Sequence, residues 1–70
     1  MLRWMADDEL NELLRRYYRG EAGLWPAIRD YVAAELRRRG VEGASHIRFR
    51  RRESGYEVIV EDASGYEVEP

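Results

Sequence analysis

Residues 54–58 read Ser-Gly-Tyr-Glu-Val, and residues 64–68 read Ser-Gly-Tyr-Glu-Val again. Each copy joins a turn signal, Ser-Gly, to the start of an alternating strand. Two copies ten residues apart predict a β-meander that uses one turn-then-strand device twice. Strands are expected at about 46–52, 56–61 and 66–69. In the first, Ile47 and Phe49 alternate with Arg48 and Arg50. In the second, Tyr56, Val58 and Val60 alternate with Glu57, Ile59 and Glu61.

Charge patterning selects a register. A two-residue loop at Ser54-Gly55 sets Phe49 opposite Val60, Arg48 opposite Glu61 and Arg52 opposite Glu57, giving one apolar face and one face of paired charges. For the second turn, a three-residue loop Ala63-Ser64-Gly65 sets Val60 opposite Val68 and Glu61 opposite Glu67. Arg51 is the odd residue, because it shares a face with Ile47 and Phe49.

Upstream the period is helical. Leu10, Leu13, Leu14, Tyr17 and Tyr18 form one stripe of a helix expected at about 7–19, with Asp7 as N-cap and Gly20 as stop. A second helix is expected at about 25–39. Pro26 sits in its first turn, Ile28, Tyr31, Val32, Glu35 and Leu36 mark its face, and Gly40 follows its end. Acids begin the first helix, and arginines end both, which suits the helix dipole. The fold class expected is α+β, one domain over 1–70. Two N-terminal helices cover one face of a three-stranded antiparallel meander, in the order ααβββ. Residues 1–5, apolar but ahead of the first helix, read as an arm.

Composition narrows the function classes. Seventy residues without cysteine must hold together on core packing alone. Catalysis, cofactors and bound metal are not expected: there is no thiol, His46 is the single imidazole, and no phosphate-binding loop is present. No apolar run approaches the roughly 20 residues of a membrane span, so the chain reads as soluble and cytoplasmic, with no membrane partner. All 12 basic residues are arginine, and 14 acids outnumber them, for a net charge of −2.

Two readings of function follow. In the first, the chain is a small non-enzymatic protein–protein interaction module that binds a larger protein or self-associates as a homodimer. Trp4, Tyr18 and Trp25 are its candidate contacts, since Trp, Tyr and Arg concentrate at interfaces. In the second, Arg37, Arg38 and Arg39 merge with Arg48, Arg50 and Arg52 into a patch for DNA or RNA backbone. The near-balanced charge and the acidic C-terminal segment favour the first.

Overall fold

The computed structural model describes residues 2–41, 46–61 and 67–68, with side chains through residue 61. Six elements occur along the chain: β1 (Leu2–Met5), α1 (Asp8–Tyr18), α2 (Trp25–Arg38), β2 (His46–Arg52), β3 (Gly55–Glu61) and β4 (Glu67–Val68). Both helices and the first two predicted strands are therefore present.

The ααβββ meander is not what forms. The sheet order is β1-β3-β2-β4, and the chain begins with a strand. β1 runs antiparallel to β3, with Leu2 opposite Val60 and Trp4 opposite Val58. That pairing takes the flank of β3 which a meander reserves for its third strand. β4 is instead found beyond β2, parallel to it, with Glu67 opposite His46 and Val68 opposite Ile47. The expected pairs Val60–Val68 and Glu61–Glu67 do not form; the loop proposed at 63–65 lies outside the described residues. The N-terminal arm is thus an edge strand that alternates Leu2 and Trp4 on the helix side with Arg3 and Met5 on the other.

The β2–β3 register differs from expectation by two residues. Glu53 and Ser54 make the turn, and Gly55 is already the first residue of β3, opposite Arg52. A shift of two preserves side-chain parity, so the predicted faces survive. Ile47 and Phe49 share the helix-side face with Tyr56, Val58 and Val60, while Arg48, Arg50 and Arg52 share the outer face with Glu57, Ile59 and Glu61. Both predicted charge pairs form diagonally: Arg48 Nε lies 2.6 Å from Glu61, and an Arg52 guanidinium nitrogen lies 2.9 Å from Glu57. Ile59, flanked by Arg3 and Arg48, is only 2% exposed on that outer face.

The core gathers Leu10 and Leu14 of α1, Ile28, Val32 and Leu36 of α2, and Ile47, Tyr56, Val58 and Val60 of the sheet. Both helices end in a Schellman turn: the N–H of Glu21 donates to the Arg16 carbonyl past Gly20, and that of Val41 to Leu36 past Gly40.

Asn11, whose single occurrence carried no structural reading in the sequence, is a buried brace between layers. Its amide donates to the Ala6 carbonyl at 3.1 Å and accepts from the Tyr56 N–H at 2.8 Å. The Ala6 N–H in turn donates to the Tyr56 carbonyl at 2.8 Å. One side chain therefore fixes the start of α1 to the start of β3.

Asp7 caps α1 by accepting from the Leu10 N–H at 3.0 Å, and its second oxygen accepts from the Tyr31 hydroxyl. The Tyr31 bond, then the Leu10 N–H, hold its carboxyl below the usual carboxylate value, while Tyr31 itself is pushed up to about 12. Asp7→Ala removes cap and interhelix bond together. The expected cost is about 1–2 kcal/mol, read as a lower urea midpoint with an unchanged slope.

Candidate protein-docking surface

Burial falls off along the helix-side face of β2: Ile47 is buried, Phe49 half-buried and Arg51 exposed. The reason lies in how the helices sit. α1 packs against β3 and α2, and its C-terminal Tyr18 meets the sheet at Tyr56, the first inward residue of β3. The two rings stack with centroids 5.6 Å apart and planes 18° from parallel. Tyr18, Phe49, Arg51 and Tyr56 line an open depression of about 340 Å³. Tyr18 is 47% exposed, and burial pushes its phenol pKa up, with Tyr17 and Tyr56 adding to the shift.

A second recess of about 170 Å³ adjoins the first and shares Arg51 and Tyr56 with it. Arg15, Arg52 and the turn at 53–55 complete its lining. Arg15 is held by Glu12 at 2.6 Å and Arg52 by Glu57. Arg51, at the boundary between the two, makes no ion pair among the described residues. An apolar slot and a polar slot thus meet at the Arg51 guanidinium.

The three aromatic candidates from the sequence do not form one patch. Tyr18 and Trp25 are linked through Tyr17, whose ring lies 5.2 Å from Tyr18 and 5.6 Å from Trp25. Trp4 belongs to β1 on the other flank of β3, where the Arg39 guanidinium lies 4.1 Å from its ring centroid. Sequence reasoning did not assign Phe49, Arg51 and Tyr56 to a site. The signal for them was the parity of Arg51, a cation on an otherwise apolar face.

The arginine candidates divide between layers. Arg48, Arg50 and Arg52 project from the outer face of the sheet, and two of them are held by carboxylates of β3. Arg37, Arg38 and Arg39 end α2 in the helical layer. There Arg38 and Arg39 each lie 3.9 Å from Glu35, and Arg39 covers Trp4. Arg37 and Arg50 make no ion pair among the described residues. The two clusters therefore lie in different layers, and carboxylates hold members of each.

Glu35 is only 4% exposed, and its Oε1, like the neighbouring Trp4 Nε1, is buried without a hydrogen bond of normal geometry. Burial, then the charge of Asp7, raise its pKa; Arg39 and Arg38 oppose this in part. A carboxyl with a raised folded pKa leaves stability intact below its unfolded pKa and reduces it as pH rises through the folded one. Glu35→Gln is therefore expected to raise the thermal midpoint at neutral pH and to leave it unchanged near about pH 4. Melts at the two pH values decide; a lower midpoint at neutral pH would give the arginine pairs the larger weight.

Among the described residues no group of three His, Cys, Asp or Glu side chains could hold a metal ion, and no helix is long and apolar enough to cross a membrane. The chain matches no protein-family model, no curated protein and no solved structure.

Proposed function

We propose that this chain is a non-enzymatic, cytoplasmic protein-docking module, and that its contact surface is the Tyr18–Phe49–Arg51–Tyr56 depression. One observation carries the reading: aromatic surface left open beside a cation that has no partner among the described residues. Interfaces enrich tyrosine, phenylalanine and arginine over the rest of a surface, and their strongest contacts are aromatic anchors seated in a desolvated pocket. A chain with one imidazole and no thiol has little nucleophilic chemistry to offer, and a cysteine-free sequence suits a reducing compartment. Self-association would use the same surface. Binding of DNA or RNA is the competing reading. Against it stand the carboxylates that hold Arg48 and Arg52, and the separation of the two arginine clusters.

The test is photo-crosslinking in the native host, with benzoylphenylalanine placed at Tyr18 and, as control, at the exposed Arg29 of α2. A discrete protein adduct from position 18 and none from position 29 is expected. Equal labelling from both positions, or an adduct with nucleic acid, would remove the docking reading.

A further inference from the structure

We propose that the edge of β2 from Arg48 to Arg52 binds an extended segment of a partner protein in which acidic and apolar residues alternate. The inference rests on the docking reading and specifies what docks.

The two edges of β2 are used unequally. β3 pairs along the whole strand, from His46 to Arg52. β4 pairs only with His46 and Ile47. From Arg48 to Arg52 that edge has no strand partner among the described residues. Five residues offer about 17 Å of backbone donors and acceptors, and a row of this kind is a template for strand addition.

Side-chain parity then sets the chemistry of the guest. Its residues on the outer face would lie beside Arg48, Arg50 and Arg52, where Arg50 makes no ion pair among the described residues. The alternate residues would lie beside Phe49 and Arg51, at the mouth of the apolar depression. Carboxylates suit the first set and an aliphatic or aromatic side chain the second. β3 already shows β2 accepting such a strand, with Glu57 and Glu61 on the outer face and Tyr56, Val58 and Val60 on the inner. The guest repeats that pattern on the side that has no strand partner among the described residues.

Charge also excludes the simplest rival. Two β2 edges laid against each other would oppose arginine with arginine, and like charges directly opposite one another destabilise a strand pair. A nucleic acid could meet the arginines but offers no backbone pairing to the edge.

The probe is the peptide Ser-Val-Glu-Tyr-Glu-Val-Glu, titrated into the isotope-labelled full chain and followed by NMR, beside a control peptide with lysine at every glutamate. Saturable shifts are expected at the amides of 48–52 and at Tyr18 with the acidic peptide alone. Arg50→Glu, which sets a like charge opposite Glu57 and should lower the thermal midpoint slightly while leaving the chain folded, should weaken the acidic peptide about tenfold and admit the lysine peptide. Absence of shifts at 48–52, or binding indifferent to Arg50→Glu, overturns the proposal. So does the appearance of the same shifts on concentrating the chain without peptide, which would make a second copy the occupant. A protein adduct from position 18 together with a silent peptide titration would defeat strand addition while leaving the docking reading in place.

Discussion

Asn11→Ala is expected to remove most of the stability of this domain. The substitution strips two backbone groups of their buried partner, the Tyr56 N–H and the Ala6 carbonyl. An unsatisfied buried polar group costs about 1–3 kcal/mol, so the pair should cost about 3 kcal/mol. A core of this size supplies only about 3–5 kcal/mol in total. Urea denaturation followed by circular dichroism should show a midpoint collapsed toward zero denaturant. Asn11→Asp sharpens the test. It keeps the acceptor for Tyr56 but turns a carboxylate oxygen on the Ala6 carbonyl. It should be as damaging as alanine at neutral pH and milder once protonation restores a donor. A loss of under about 1 kcal/mol for Asn11→Ala would mean that water replaces the amide without penalty, and that the brace between helix and sheet is incidental.

Gly55→Ala should cost about 2–4 kcal/mol, from two sources. Gly55 has φ +147°, a conformation open to glycine and strained for alanine by about 1–3 kcal/mol. An added Cβ would also stand 2.8 Å from both Nδ2 and Oδ1 of Asn11. Those atoms are fixed by their hydrogen bonds to Ala6 and Tyr56, so the contact cannot be relieved by a free rotation. The two sources separate in a double-mutant cycle. In an Asn11→Ala background the clash disappears and only the backbone strain remains. The double variant should therefore be more stable than the sum of the single losses implies, by about 1–2 kcal/mol. Strict additivity would show that Asn11 does not press on Gly55.

These two residues also mark where the sequence was legible. The repeated Ser-Gly-Tyr-Glu-Val announced a turn and a strand, and the first copy supplies both. Its glycine, however, is the first residue of β3, needed because the only asparagine in the chain packs on its Cα. No local pattern states that, since Asn11 and Gly55 meet only once the helix lies on the sheet. Parity was robust: the register moved by two residues, the apolar face stayed apolar, and Arg48 and Arg52 still found Glu61 and Glu57 on the diagonal. Strand order was not legible. Leu2-Arg3-Trp4-Met5 has the alternation of a strand, but four residues without a turn signal do not display a period. Once β1 pairs with β3, that flank is closed to Glu67 and Val68, which join the far side of β2 instead. The site was legible through one anomaly, Arg51 on the apolar face. The aromatic candidates followed interface propensity instead, which cannot tell Trp4 under Arg39 from Tyr18 in the open.

Carboxylates on β3 hold Arg48 and Arg52, so the proposed docking at Arg50 and the aromatic depression entails no polyanion-binding face. The most direct measurement of this claim is the fluorescence anisotropy of labelled random-sequence DNA and RNA titrated with the chain at low ionic strength, where phosphate contacts are strongest. A flat titration is predicted, unchanged by Arg48→Ser or Arg52→Ser. A saturable rise that fades steeply with added salt, and is lost in those variants, would contradict it.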